Sequence, residues 1–343
     1  MFEIKSNIRN YTVEFQEQIK IDFRKQDFLF VDENVYKLYK NKLPKTRNLI
    51  IIPSGEKSKK ISYVNNILKI LLLSGFKKDN KIVVCGGAVC QDVCGFVSSI
   101  LFRGVEWIFY PTTLVSQADS CIGSKTSINY CGKKNILGTF YPPSKVVICT
   151  KFLETLPEQE IKSGIGEILH YYCLSDKKQD LYWIKNDYHT ILKNPSGVIC
   201  LRHILRSLEI KKKVIQEDEF DKNQRNLFQL GHVLGHSIES VSKFSIPHGQ
   251  AVTKGMDMAF FLSWKRGYID EKKYMLLKNS IQFNVPEFKI KNIKEFIEVI
   301  THDKNNIENR INFILPVGKL FKKIAIKNDS LLLKDLKSYF NAK

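Results

Sequence analysis

Ile82-Val83-Val84-Cys85-Gly86-Gly87-Ala88-Val89-Cys90-Gln91-Asp92 is a short apolar run that ends on two glycines and passes into a helix opening. A β-branched run of four, stopped by turn residues, reads as a buried strand. Glycines at the end of a parallel strand let a pyrophosphate approach the backbone N–H groups of the next helix. The stretch is not Gly-x-Gly-x-x-Gly, so a plain tight turn explains it equally well when it is taken alone. Its neighbourhood decides the class. Phe28-Leu29-Phe30-Val31, Leu49-Ile50-Ile51-Ile52, Trp107-Ile108-Phe109-Tyr110 and Val146-Val147-Ile148-Cys149 are runs of the same kind. Val64 to Leu73 adds an apolar helix that ends near Gly75. Strands alternating with helices predict a mostly parallel sheet covered on both faces. From about residue 152 the pattern changes to long helical stretches with few strand signals. The expected division is an α/β nucleotide-binding domain over 1–151 and an all-α domain over 152–343, without repeats or a low-complexity linker.

Composition excludes several classes. A chain of 343 residues suits two domains of ordinary size. No apolar run reaches the ~18 residues that a membrane helix needs. Met1-Phe2-Glu3-Ile4-Lys5 lacks the basic-then-apolar pattern of a signal peptide, so the expectation is a cytoplasmic protein with no membrane partner. The 8 cysteines all fall between Cys85 and Cys200, none in Cys-x-x-Cys, as reduced thiols packed as small hydrophobes would. Cys85, Cys90 and Cys94 match no iron–sulfur ligand spacing. The net charge of +19 raises nucleic acid as a partner. Against it, the lysines are spread along the chain, with no run longer than Lys211-Lys212-Lys213, and no nucleic-acid module is visible. Abundant Ile, Lys and Asn point to codon bias, and a small anionic substrate is the functional alternative.

Two stretches carry chemistry. Gly231-His232-Val233-Leu234-Gly235-His236 puts two histidines at i and i+4 on one helix face, and His248-Gly249 follows. The chain has only 7 histidines, which makes three in one window notable. A zinc-peptidase reading fails because Val233 stands where that motif needs glutamate. Spacing alone leaves open metal ligation or a partly buried pair at a helix contact. The second stretch runs from Arg103 to Asn135. It contains Arg103-Gly104, Pro111-Thr112-Thr113-Leu114, Gln117-Ala118-Asp119-Ser120, Ile122-Gly123-Ser124-Lys125-Thr126 and Gly132-Lys133-Lys134-Asn135. Polar and basic residues this dense, interleaved with glycine, build loops that present cations and amides to an anion.

Taken with Pro53-Ser54-Gly55-Glu56-Lys57, Leu156-Pro157-Glu158, Gly166-Glu167-Ile168, Val214-Ile215-Gln216-Glu217-Asp218-Glu219, Gly231-His232 and His248-Gly249, all in order, the chain resembles the 3-dehydroquinate synthase family of sugar-phosphate cyclases. The resemblance spans roughly Val31 to Gly318. It implies a dehydroquinate synthase-like fold, with the active site in a cleft between an α/β domain and a helical one. It also implies NAD as a regenerated cofactor and a divalent metal, zinc or cobalt. The metal ligands it implies are Glu167, His232 and His248, whereas His236 would contact substrate. The implied NAD positions are Asp32, Glu56, Lys59, Gly87, Asp92, Thr112, Thr113, Asp119, Lys134 and Thr155. The implied substrate positions are Lys125, Asn135, Lys211, Arg225, His236 and Lys304. Arg103 would reach the phosphate site of a neighbouring subunit, which implies a homodimer.

The expected activity is conversion of 3-deoxy-D-arabino-heptulosonate 7-phosphate to 3-dehydroquinate and phosphate in the shikimate pathway. Its implied course is transient oxidation by NAD, elimination of phosphate, re-reduction and aldol closure. Other cyclases, of the aminodehydroquinate or 2-deoxy-scyllo-inosose type, and a metal-dependent polyol dehydrogenase of the same architecture are the alternatives. The chain departs from the family pattern at several points. Gly-Gly-Gly-Val-x-Gly-Asp is Gly86-Gly87-Ala88-Val89-Cys90-Gln91-Asp92, which puts the bulk of Gln91 beside the cofactor loop. Gly-Gly-Lys-Thr is Gly123-Ser124-Lys125-Thr126. A lysine is replaced by His170, an asparagine by Gln229 and a glutamate by Gln250. His170 is expected at the substrate, where it would remove a long cation.

Overall fold

A computed structural model of the chain describes residues 1–290, 292–301 and 309–341. Two compact units result. The first holds Met1–Pro157 and Asn194–Phe220, and the second holds Glu158–Lys193 and the chain from Asp221 onward. The single boundary expected near residue 151 is therefore replaced by three crossings.

The first unit runs β1 (Phe2–Ile4), β2 (Tyr11–Phe15), β3 (Phe28–Asp32), α1 (Glu33–Tyr39), β4 (Leu49–Ile52), α2 (Ile61–Leu73), β5 (Ile82–Gly86), α3 (Ala88–Ile100), β6 (Trp107–Pro111), β7 (Lys125–Tyr130), β8 (Lys133–Phe140) and β9 (Lys145–Ile148). Seven of these strands form one sheet in the order β1-β2-β9-β6-β5-β3-β4. Only the β1–β2 pair is antiparallel. All five expected strands are present. They were legible because central parallel strands are buried on both faces and read as continuous apolar runs; every residue of β5 and β6 is buried. The β7–β8 hairpin was not expected. Its residues, especially those of β8, lie largely in solvent, so no apolar alternation marks it.

The chain leaves β3 for β4 on one side and β5 for β6 on the other. The order therefore reverses between β3 and β5, and the crevice beyond their C-terminal ends is where open α/β sheets bind ligands. Gly86 ends β5 there. A Cβ on it would lie 2.6 Å from Cys90 Cβ, so glycine is what lets α3 start this close to the strand.

The chain then enters the second unit for α4 (Glu158–Cys173) and α5 (Gln179–Lys193), and returns to the first for α6 (Val198–Glu217). The second unit continues with α7 (His232–Val241), α8 (His248–Lys265), α9 (Glu271–Ile281), α10 (Ile293–Thr301), β10 (Arg310–Val317), β11 (Leu320–Lys327) and α11 (Ser330–Asn341). It is helical as expected, with one antiparallel hairpin, β10–β11, in place of the all-helical composition. Helix α8 is its axis: 13 of its 18 residues are buried, and α4, α7, α9, α11 and β10 pack around it. Two glycines set the α4–α8 distance. A Cβ on Gly166 would stand 2.0 Å from Gly249 O, and one on Gly249 would stand 1.8 Å from Ser163 O. Among the described residues no helix is long and apolar enough to cross a membrane. Seven of the cysteines are buried as expected, and Cys131 is exposed at the β7–β8 turn.

Candidate functional site

At the crevice between β3 and β5 the backbone is held by side chains. Asp32 ends β3, caps α1 by accepting from Asn34 N at 2.8 Å, and takes the Ser54 hydroxyl at 2.9 Å. Gly87 caps α3, and a Cβ there would press on Thr113 Cγ2 at 3.1 Å. No acidic residue occupies the first turn of α3, although Asp32 Oδ2 stands 4.0 Å from Cys90 Sγ beside it. Thr112 N donates to Gly86 O at 3.0 Å, and the Thr113 hydroxyl pairs with Ser116 Oγ at 2.9 Å. Gln91, the bulky departure in this loop, points away from it. It donates to Ser120 O and accepts from Ser120 Oγ, each at 2.6 Å, and so fastens α3 to the π-helical turn Ser116–Ser120. Thr155 shares a hydrogen bond with the Tyr39 hydroxyl at 2.9 Å.

Most of the remaining candidates of this unit form two polar clusters. Lys59 Nζ lies 2.6 Å from Asp92 Oδ2 and 2.6 Å from Asn135 Oδ1. Burial raises the Asp92 carboxyl above its usual range, against the pull of Lys59. Glu56 accepts from Asn129 Nδ2 at 2.7 Å and faces Lys134 Nζ at 3.8 Å. Asn135, expected with the substrate group, is thus gathered with residues expected around NAD. In the second cluster Lys211, on α6, donates to Asp119 Oδ1 at 2.7 Å and to Asp119 O at 2.9 Å. Lys125 opens β7 with its side chain exposed. Arg103 is exposed in a run of three left-handed residues, Phe102 (φ 48), Arg103 (φ 62) and Gly104 (φ 119).

In the second unit three helices bring the three predicted ligands together. Glu167 lies on α4, His232 opens α7 and His248 opens α8. Their donor atoms all lie within 4.8 Å of one another. His248 Nε2 is 3.4 Å from Glu167 Oε1, and His232 Nε2 is 3.8 Å from Glu167 Oε2. Ligands about 2.0–2.1 Å from a tetrahedral ion stand roughly 3.3 Å apart, so small side-chain movements would close the set on an ion. The outer ring nitrogens of both histidines also have acceptors. His248 Nδ1 faces Glu239 Oε2 at 3.0 Å, and His232 Nδ1 faces Leu230 O at 3.2 Å. Both oxygens are acceptors, so with an ion taking the Nε2 lone pairs each ring would keep its proton on Nδ1. Burial, then the nearby His170, His248 and His236 rings, hold His232 well below the usual histidine range. A neutral imidazole is the ligating form. One carboxylate and two imidazoles fit a zinc-like divalent ion.

Of the other candidates, His236 stands beside this set. His236 is exposed and stacked on His248, with centroids 5.6 Å apart. Arg225 is buried. Lys304 lies outside the described residues. His170 differs from expectation. It is 1% exposed and packed on Tyr171, Phe228 and His232, with Glu167 Oε2 at 3.9 Å, so packing describes it better than substrate contact. Glu239 was missed, although its place seven residues after His232 puts it on the same helix face.

Comparison with known proteins identifies the family. Residues 49–163 match the 3-dehydroquinate synthase N-terminal family, and residues 164–306 match the 3-dehydroquinate synthase C-terminal family. A 3-dehydroquinate synthase of Clostridium tetani is 36% identical over 326 residues, covering 92% of this chain and 86% of that protein. Among solved structures, 2-epi-5-epi-valiolone synthase from Streptomyces hygroscopicus, with NAD+ and Zn2+ bound, superposes with a TM-score of 0.80 at 20% identity, over 96% of this chain and 95% of that one. A 2-deoxy-scyllo-inosose synthase complexed with carbaglucose-6-phosphate, NAD+ and Co2+ gives 0.77 at 21% identity, over 98% of each chain. At such identities the two structures speak for the fold alone. The matched halves and the Clostridium relative speak for descent, and by them this chain belongs to the 3-dehydroquinate synthase family.

Proposed function

We propose that this chain is a 3-dehydroquinate synthase, a carbon–oxygen lyase that converts 3-deoxy-D-arabino-heptulosonate 7-phosphate to 3-dehydroquinate and phosphate in the shikimate pathway. The observation that carries the reading is the intact set of Glu167, His232 and His248 in a chain of this family. The bound NAD+ and Zn2+ or Co2+ of its structural neighbours support NAD and a divalent metal as its cofactors. When bound, NAD supplies a reversible hydride acceptor and the metal a Lewis acid.

The chain's own residues then divide the work of binding. Glu167, His232 and His248 hold the metal. Asp32, Glu56, Lys59, Gly87, Asp92, Thr112, Thr113, Asp119, Lys134 and Thr155 form the NAD site, with acidic groups suited to ribose hydroxyls and the α3 N-terminus to phosphate. Lys125, Asn135, Lys211, Arg225, His236 and Lys304 grip the carboxylate and phosphate of the substrate, where fixed cations outmatch water. Arg225 favours a substrate that carries a carboxylate, which glucose 6-phosphate lacks. Arg103, exposed on a strained turn, would serve the phosphate site of a partner subunit in a homodimer. Eight unpaired cysteines suit the reducing cytoplasm.

Phosphate release tests the substrate. The purified protein with NAD and zinc should release phosphate from the heptulosonate and leave glucose 6-phosphate and sedoheptulose 7-phosphate untouched. Turnover of either of these in its place would move the chain to another cyclase class.

A further inference from the structure

Ser124 is a non-glycine residue in the left-handed region, at φ 65, directly before Lys125. Lys125 N reaches back to Gly123 O at 2.9 Å, so Ser124 is the centre of a three-residue turn of the rare, strained kind. Such a backbone persists only where its surroundings over-determine it. Here they do. Gly123 N donates to the Tyr11 hydroxyl at 3.0 Å, and Tyr141 N donates to Ser124 O at 2.6 Å. The Ser124 hydroxyl donates to Glu219 Oε1 at 2.8 Å, and both residues are buried. The same carboxylate takes the Ser6 hydroxyl at 2.6 Å on Oε1, and Asn7 N at 2.7 Å with Asn7 Nδ2 at 3.2 Å on Oε2. Glu219 thus joins the end of α6, the segment between β1 and β2, and the turn that launches β7.

We propose that Ser124 and Glu219 are positioning residues whose hydrogen bond holds this strained turn and thereby aims Lys125 at the anionic substrate. The inference rests on the substrate role given to Lys125 above. A carboxylate accepts from these four donors at once, whereas in Glu219→Gln the single oxygen can keep the Asn7 pair and the Nε2 hydrogens must face the two serine hydroxyls, so the Ser124 contact survives only reversed and without the carboxylate charge that strengthens it. The hydroxyl of Ser124 matters separately from the strain at its backbone, because glycine adopts φ 65 without cost and has no hydroxyl to donate.

The test is a set of variants of the full chain with NAD and zinc bound: Ser124→Ala, Ser124→Gly, Glu219→Gln, the double variant Ser124→Ala with Glu219→Gln, and Lys125→Ala. Each is measured for KM, kcat and Tm. Loss of one hydrogen bond to a charged group should raise KM roughly tenfold in Ser124→Ala, Ser124→Gly and Glu219→Gln, with kcat within about twofold. The double variant should be no worse than either single change. Ser124→Gly should have a Tm at or above that of Ser124→Ala while sharing its KM, which separates aiming from stability. An unchanged KM in Ser124→Ala beside a raised one in Lys125→Ala overturns the latch alone, as do additive effects in the double variant or a KM that simply tracks Tm. An unchanged KM in Lys125→Ala overturns the substrate role of that lysine and, with it, this proposal.

Discussion

Spacing marks His232 and His248 as candidate ligands but does not say which ring nitrogen each presents. The hydrogen bonds to Leu230 O and Glu239 Oε2 do. Replacing Glu239 by glutamine removes the charge that fixes the His248 tautomer, and losses of this kind cost about 10–100-fold in metal affinity. Chelator competition should show that loss for Glu239→Gln with unchanged circular dichroism; equal affinity would make Glu239 a bystander. His232→Ala removes a ligand outright, and metal analysis should find less than stoichiometric zinc. His170 shows the limit of reading by position. Placed three residues after Glu167, it reads as a substrate contact, yet its ring is enclosed by Tyr171, Phe228 and His232. An ammonium there would be buried, so His170→Lys should cost on the order of 2–3 kcal/mol in chemical denaturation. Tighter substrate binding without loss of stability would restore the substrate reading. Spacing left His236 as good a candidate as His232, and the set of Glu167, His232 and His248 came from the family resemblance; the supporting partners came from neither, since they are fixed by how helices meet.

That meeting is decided at the scale of elements. Glu167 follows Gly166 on α4, and His248 precedes Gly249 on α8, so the glycines that let the helices touch are the neighbours of two proposed ligands. Adding a methyl at either drives into backbone that has no rotamer to yield. Gly166→Ala should therefore cost about 1–3 kcal/mol in a denaturation experiment, the usual range for overpacking, and should weaken metal binding as the ligands part. Normal zinc stoichiometry and stability would mean that the helices are freer to shift than their contact implies. The central strands and α2 were legible from their apolar runs. Strands β8 and β11 were not, because strands with charged or solvated faces carry no periodic apolar signal; β10 is mostly buried, and its short apolar run was absorbed into the expected helical stretch. Helix α6 was legible as a helix but not as part of the first unit. Cys200, Ile204, Leu208, Lys211 and Ile215 are buried on it at helical spacing, and its partner is the turn Ser116–Ser120, far away in sequence.

For the molecule as a whole, the family was legible from ordered motifs, and the matched families agree with it. The folding of two separated segments into each unit was not, because composition does not change at residues 194 and 221. As a member of this family the chain is expected to use NAD as a catalyst and to regenerate it, which sets it apart from a dehydrogenase with the same architecture. The most direct measurement follows absorbance at the nicotinamide band and phosphate release together, with 3-deoxy-D-arabino-heptulosonate 7-phosphate, zinc and NAD. The prediction is phosphate released over many turnovers, dependent on NAD, with no accumulation of NADH. NADH formed in proportion to turnover, with no phosphate released, would contradict it.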